Sequence, residues 1–215
     1  AIVEPSQLAG FDKPNTNNLN NSNIDEKIKK LFSDINNSKR PTLLIGGGVR
    51  SANAIEDLHE LGKVLKIPIY PTWNALDAVT SDYEYYAGRV GTYGGAGRNF
   101  GIQNCDLLFG LGTRVSGRIT GGNPATFARE AKKYIVDIDP ALLKKKFQPV
   151  KFHENIYCDL NTFVNIFLNE IKKFDKSKLN FDAWNKKIKF WLENYNPYKM
   201  EYSKSDGYQY KGKNY

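Results

Sequence analysis

The sequence is poor in the residues that most often bind metals or form cross-links. Its 215 residues include two histidines, two cysteines and one methionine. Two cysteines are too few for a disulfide framework, and the two cysteines and two histidines are not expected to build a metal-ligand cluster. We therefore predict that Cys105 and Cys158 are packed thiols of a cytoplasmic protein, since the cytoplasm is a reducing compartment.

Long apolar runs are also missing. No run approaches the length of a transmembrane helix, and residues 1–5 do not have the features of a signal peptide. The sequence contains no G-x-x-x-x-G-K-[ST] loop of the kind that cradles nucleotide phosphates. The sequence therefore predicts neither a membrane protein nor a P-loop enzyme.

Negative charge is scarce, and the resulting net charge of +8 is unevenly distributed. Residues 172–215 contain eleven lysines and five acidic residues, which leaves a net charge of only +2 for the rest of the chain. A lysine-rich and tyrosine-rich segment of this kind is more typical of a solvated helix and linker than of a groove for a phosphate backbone. We therefore expect no nucleic-acid partner.

Short apolar runs alternate with helical patterns along most of the chain. Strands are predicted at 42–45, 69–72, 107–111, 134–138 and 155–158. Helices are predicted at 51–66, 98–104, 124–131, 140–145 and 182–195; a further helix starts near 23 with apolar residues as far as 35, and another follows 159 with apolar residues as far as 171. This alternation is typical of an α/β fold, with a Rossmann-like parallel sheet of about six strands and helices on both faces. The asparagine-rich residues 1–23 and the residues after 197 are expected to be linkers that flank this single domain.

Three of the predicted strands end in glycines, arginines or acidic residues, at 46–50, 112–118 and 137–139. Ligands of parallel sheets bind at the carboxyl ends of the strands, where glycine lets the backbone come close. The first segment nearly fits the G-x-G-x-x-G fingerprint, but the second strand does not end in the acidic residue that an NAD site requires. The glycines could equally serve only to close tight turns, and Arg114 could pair with a phosphate or with Asp137.

Other candidate residues have simpler explanations. Asp139 and Asp159 are expected to cap helices, and His59 and His153 are expected at the surface. Core packing is the default expectation for Trp73, although its ring could also stack on a flat ligand ring or on a neighbouring domain.

The order of these motifs resembles the central domain of thiamine-diphosphate-dependent enzymes of the acetolactate synthase and pyruvate oxidase type. The matching segments are 41–50, 61–69, 91–94, 104–121, 131–140 and 158–160. The resemblance implies that residues 1–23 lead out of a missing pyrimidine-binding domain and that residues 24–173 form the central domain. Residues 174–215 would then be a helix and linker toward a missing pyrophosphate-binding domain.

The resemblance also implies where the chemistry lies. Thiamine diphosphate and Mg²⁺ would bind between the two missing catalytic domains of the same polypeptide, in a full-length enzyme expected to be a homo-oligomer. The central domain would carry no catalytic residue, so the fragment alone is expected to be inactive. Members of the family bind FAD, an ADP-type nucleotide or nothing in this domain.

The FAD-binding members imply which positions would contact a cofactor. These positions lie in five segments of the chain: Gly46, Gly47 and Gly48; Thr72 and Trp73; Gly91, Thr92 and Tyr93; Gly112, Thr113, Arg114, Arg118 and Ile119; and Asp137 and Ile138. Residues 116–117 (Ser-Gly) stand where synthases commonly carry two aspartates. Residues 92–93 (Thr-Tyr) stand where they carry Met-His.

The resulting functional hypothesis is the central domain of an acetolactate synthase-like enzyme that acts on 2-oxo acids. A stand-alone nucleotide-binding module and an NAD-dependent deacylase-like enzyme are the alternatives. The deacylase lacks support because neither histidine adjoins a glycine-rich loop.

Overall fold

A five-stranded parallel sheet forms the centre of the protein. The structure is a computed structural model that describes residues 4, 23–92, 94–144, 148, 150–174, 179–196, 209–210 and 213–214. The strands are β1 (Pro41–Ile45), β2 (Ile69–Pro71), β3 (Leu107–Leu111), β4 (Lys132–Asp137) and β5 (Glu154–Tyr157), in the order β2-β1-β3-β4-β5. The predicted α/β architecture is confirmed, with five strands in the sheet where about six were expected. A separate two-stranded antiparallel pair joins β6 (Gln209–Tyr210) to β7 (Lys213–Asn214).

Seven α-helices are found in the described part of the chain. They are α1 (Ile24–Asn37), α2 (Gly48–Ser51), α3 (Ile55–Leu65), α4 (Ala96–Asn104), α5 (Gly117–Thr120), α6 (Leu160–Lys172) and α7 (Asp182–Asn194). Successive side chains of a strand point to opposite faces of the sheet. Accordingly, Leu43 and Phe109 lie in the core beneath α1, α3 and α6, whereas Leu44 and Leu108 lie in a second core with α4 and α7.

The apolar spacing of α1 explains how that helix packs. Ile24, Ile28, Leu31, Phe32 and Ile35 recur at intervals of three and four residues, and all five are buried as the pattern predicts. Such spacing places them on one stripe of the helix, which faces the core.

The predicted helix cap at Asp159 and the predicted packing of both cysteines are also confirmed. The carboxylate of Asp159 accepts the N–H of Thr162 and caps α6. Cys105 and Cys158 are free and buried.

Three helix predictions are wrong in part. The helix expected at 51–66 is two helices, because Asn53 adopts a left-handed conformation (φ 56°) between α2 and α3, and Ser51 ends α2 without capping α3. The segment 124–131 forms only a 3₁₀ turn at Pro124–Thr126. The segment after Pro140 forms turns as far as residue 144, since the carboxylate of Asp139 holds the N–H of Ala141 in a local turn.

Helix α7 completes the cover of the second face. The indole N–H of Trp184 donates to Pro41 O at 3.1 Å, and the Asn185 side chain donates to Lys66 O at 2.7 Å. Gly97 and Gly101 of α4 face α7 and have no room for a side chain: a Cβ on Gly97 would lie 2.3 Å from Trp191 O. The predicted linkers at 1–23 and beyond 197 lie almost entirely outside the described residues.

Candidate functional site

A groove opens at the carboxyl ends of β1, β2, β3 and β4. Strand β1 pairs with β2 on one side and with β3 on the other. The chain therefore passes from β1 to β2 on one side of β1 and then crosses over to form β3 on the other side. Ligands of open parallel sheets bind at such a switch point. The groove has a volume of about 790 Å³.

The glycines between β1 and α2 let two loops touch. A Cβ on Gly46 would lie 2.2 Å from Gly112 O, and a Cβ on Gly48 would lie 2.7 Å from Gly112 Cα. Gly112 itself has a φ of +56°, which side chains rarely adopt. The close approach of the two strand ends therefore requires glycine at all three positions.

Most backbone N–H groups of this glycine triplet donate hydrogen bonds within the protein. The N–H of Gly46 donates to Leu111 O at 3.0 Å, and the N–H of Gly48 donates to Gly112 O at 3.0 Å. Among the described residues, only the N–H of Gly47 in this triplet has no backbone acceptor. Two of the three glycine N–H groups are therefore used within the protein and are not available to a ligand.

The loop between β3 and α5 supplies the positive charge of the groove. Arg114 and Arg118 line the groove with exposed side chains, and neither forms an ion pair with another described residue. Arg114 is therefore an exposed charge, and the possible ion pair with Asp137 is not formed in this structure. Between them, the buried Val115 has a φ of +44°, a strained conformation for a β-branched residue that is typical of functional loops.

An acidic side chain faces these arginines from the end of β4. Asp137 lines the groove and is partly buried, and its carboxylate accepts the N–H of Asp139 at 2.9 Å. Burial raises the pKa of Asp137 above its ordinary value, and the charge of Asp139 raises it further. Hydrogen bonds from the backbone and the charge of Arg114 act in the opposite direction. A desolvated carboxylate at a cleft is a common mark of a ligand site.

The turn after β2 forms the fourth side of the groove. Thr72 is buried, whereas Trp73 is 66% exposed, so the expectation of core packing for Trp73 is wrong. Asn74 follows in the same 3₁₀ turn and lies against Gly47, whose Cβ would be 3.2 Å from Asn74 Cβ. Arg50 of α2 forms an ion pair with Asp77 in the continuation of this turn.

A second cavity of about 460 Å³ adjoins the groove. Trp73, Arg118 and Ile119 line both cavities. Thr92 lies in the second cavity, where its N–H and its hydroxyl both donate to Arg118 O, at 2.9 and 3.2 Å. Gly91 is buried behind it with a φ of +108°, and the side chain of Asn99 binds both its N–H and its carbonyl.

Most of the positions implied by the family resemblance meet in one place. The groove is lined by Gly46, Gly47, Gly48, Thr72, Trp73, Gly112, Thr113, Arg114, Arg118, Ile119 and Asp137. Gly91 and Thr92 line neighbouring cavities, Ile138 is exposed outside all of them, and Tyr93 lies outside the described residues. The groove also includes residues that the family resemblance did not imply. Arg50, Val115, Ser116 and Asp139 lie in the three predicted strand-end segments, whereas Ser51, Asn74 and Leu142 lie outside them. Their adjacency to assigned loop residues is the signal that could have found most of them.

The two histidines do not belong to the groove. The His59 Nε2 lies 2.6 Å from Ala78 O and the ring stacks on Tyr83, so this residue is half-buried rather than free at the surface. The Nδ1 of His153 accepts the N–H of Lys133, and burial and neighbouring lysines lower its pKa. Within the described residues, no group of three histidine, cysteine or acidic side chains is arranged to hold a metal ion. None of the helices there is both long and apolar enough to cross a membrane.

Comparison with known proteins places the chain in context. Residues 28–166 match a family described as the thiamine pyrophosphate enzyme central domain. The chain is 37% identical to the acetolactate synthase isozyme 2 large subunit of Escherichia coli over 138 residues, which are 64% of this chain and 24% of that protein. It is 33% identical to the acetolactate synthase large subunit of Cyanidium caldarium (79% of this chain, 28% of the relative) and 33% identical to acetolactate synthase 1, chloroplastic, of Nicotiana tabacum (86% and 26%). The chain thus spans about a quarter of the length of these relatives.

Proposed function

Because the chain belongs to the thiamine pyrophosphate enzyme family, as its central domain, we propose that it serves a longer enzyme of the acetolactate synthase type. The observation that carries this proposal is the match of residues 28–166 together with relatives that are named acetolactate synthases. The longer enzyme would join or cleave a carbon–carbon bond next to the carbonyl of a 2-oxo acid, with pyruvate as the substrate. Thiamine diphosphate, bound with Mg²⁺ by the two catalytic domains, would supply the stabilisation of negative charge that such chemistry needs.

We propose further that the groove of this domain holds FAD or an ADP-type nucleotide. The chemistry of its side chains supports this: Arg114 and Arg118 could bind a pyrophosphate through charge-assisted hydrogen bonds, and Asp137 could accept ribose hydroxyls. The glycine contact between Gly46 and Gly112 keeps the floor of the groove free of side chains, which would let a ligand approach the backbone. In this proposal, the residues that line the groove would hold and orient the nucleotide and would keep water away from it.

The context of the domain follows from the same family. We propose that residues 24–173 form the central domain, that the residues on either side lead to the catalytic domains, and that the full-length enzyme is a cytoplasmic homo-oligomer. The two free, buried cysteines support a reducing compartment. A stand-alone nucleotide module and a deacylase-like enzyme are not favoured, because the matched family and the relatives are thiamine enzymes.

A domain exchange tests the proposed activity. Residues 24–173, or 24–196 so that α7 is kept, would replace the matching segment of the Escherichia coli relative, and acetolactate formation from pyruvate would be measured with thiamine diphosphate and Mg²⁺. We expect activity from at least one chimera and none from the 215-residue chain alone. Activity of the 215-residue chain by itself would contradict the proposal, as would two chimeras that fold and assemble like the relative but are inactive.

A further inference from the structure

A histidine side chain completes the hydrogen bonding where β4 and β5 begin, at the end of the sheet opposite the groove. The N–H of Lys133 in β4 donates to Nδ1 of His153 at 3.0 Å. In return, the N–H of His153 donates to the carbonyl of Lys133 at 2.8 Å. Strand β5 begins only at Glu154, so a side chain supplies here the acceptor that a strand carbonyl supplies further along the ladder.

The hydrogen bond from Lys133 to His153 requires a neutral imidazole ring. A ring nitrogen that accepts an N–H carries no proton, so the proton of the neutral ring is on Nε2. His153 is exposed, and protons from the solvent therefore reach its ring. Protonation of Nδ1 would set two N–H donors against each other, and the ring would have to leave Lys133. The backbone N–H of Lys133 would then lose its acceptor, which disfavours the paired strand ends.

The charges around His153 oppose its protonation. Four lysines act on the ring from β4, from the segment before β5 and from α1: Lys132, Lys133, Lys151 and Lys30. Two acidic side chains of the same region are already paired with lysines: Glu154 with Lys27 and Lys30, and Asp34 with Lys132. Burial of part of the ring lowers the pKa of His153 from its ordinary value of about 6.5, and the lysine charges lower it further.

We propose that His153 is a proton-sensitive switch that holds the start of the edge strand β5 against β4. Strand β5 lies at the edge of the sheet, where β4 is its neighbour. Above about pH 6.5 the ring is neutral whether the strand ends are paired or open, and the hydrogen bond keeps them paired. As pH falls through that value, the open ends bind the proton more readily than the paired ends, so acid favours opening. The stabilisation is fully lost below the lowered pKa of the paired form.

The opening is local because the rest of β5 has its own ladder to β4. The register joins β4 to β5 from Tyr134 and Glu154 as far as Asp137 and Tyr157. Partial opening of a strand end costs less free energy than unfolding of the domain. The switch therefore concerns the amino ends of the two strands, and the central strands are expected to stay paired.

Nuclear magnetic resonance on the 215-residue chain measures both the proton and the hydrogen bond. Because the sequence contains only two histidines, the ring signal that is lost in His153→Asn identifies His153. Hydrogen exchange of the Lys133 N–H, expressed as protection relative to its intrinsic rate at each pH, reports the paired strand ends. The asparagine side chain can offer an oxygen in place of Nδ1 but does not titrate, whereas His153→Ala removes the acceptor. The N–H of Gly46, which donates to Leu111 O between the central strands, is the internal control.

We expect the pKa of His153 to lie below about 6.5. Between about pH 7.5 and a pH below that pKa, protection of the Lys133 N–H should fall about tenfold for each unit by which the pKa is lowered. Protection of the Gly46 N–H should change less than twofold. His153→Asn should keep the protection of Lys133 at both pH values, and His153→Ala should lose it at both.

Three results would overturn the switch. The first is a pKa of His153 at or above about 6.5. The second is a fall in Lys133 protection in His153→Asn that equals the fall in the wild type, because the proton would then act elsewhere. The third is wild-type protection of Lys133 in folded His153→Ala, because the side-chain acceptor would then not hold the strand ends together.

Discussion

The contact between the β1 and β3 loops predicts that Gly46→Ala is strongly destabilising. The added Cβ would lie 2.2 Å from Gly112 O and 2.6 Å from Thr113 Cα, and both of these are backbone atoms that cannot rotate away. Overpacking of this kind typically costs about 1–3 kcal/mol. Separating the loops would also weaken the hydrogen bonds from Gly46 N–H and Gly48 N–H, each worth ~1 kcal/mol.

We therefore expect Gly46→Ala to lower the free energy of unfolding by about 2–4 kcal/mol, which for a chain of this size lowers the melting temperature by roughly 5–15 °C. Urea denaturation followed by circular dichroism measures the effect. Gly117→Ala is the matched control, since a Cβ on Gly117 meets nothing within 4 Å and alanine favours a helix by up to about 1 kcal/mol. If Gly46→Ala is as stable as Gly117→Ala, the glycine contact does not hold the two strand ends together.

Two further substitutions test the electrostatics of the groove and the docking of α7. Because burial raises the pKa of Asp137, the folded state binds its proton more tightly than the unfolded state, so this residue makes stability fall as pH rises from about 4 through its raised pKa. Asp137→Asn should flatten the stability–pH curve between about pH 4 and the raised pKa, and it should raise the free energy of unfolding at pH 7. Urea denaturation at several pH values measures this effect. An unchanged curve would contradict a raised pKa for Asp137. Trp184→Phe leaves Pro41 O without its donor and should cost about 1–3 kcal/mol in the same assay, whereas a loss below ~0.5 kcal/mol would mean that this hydrogen bond does not fasten α7.

The strands could be predicted from the sequence because burial on both faces makes them continuous apolar runs. Strand β3 has the predicted bounds, Leu107–Leu111, and the other four strands differ by one or two residues at their ends. Helix α1 could be predicted for a similar reason, since its apolar spacing is regular. The break at Asn53 was missed although asparagine is among the few residues that readily adopt a left-handed conformation.

The composition of the groove could be predicted in large part, but its geometry could not. Glycines, arginines and an aspartate at the carboxyl ends of parallel strands lie along the same edge of the sheet, whatever the strand order. The N–H groups of Gly46 and Gly48 donate to the last residue of β3 and to the residue after it because β1 lies beside β3. The local sequence does not encode that strand order. The exposure of Trp73 likewise depends on the tertiary surroundings of its turn, and for this reason core packing was the wrong expectation.

Equilibrium binding of FAD and ADP to the chain and to one arginine variant tests the central claim most directly. Loss of a charge-assisted hydrogen bond costs about 1.5–3 kcal/mol, or about tenfold to a hundredfold in affinity. Arg114→Ala should therefore weaken both nucleotides at least tenfold, while Lys189→Ala, on the exposed side of α7, should leave both unchanged. Loss of binding in Lys189→Ala with retention in Arg114→Ala would contradict the account and move the site from the groove to the basic segment.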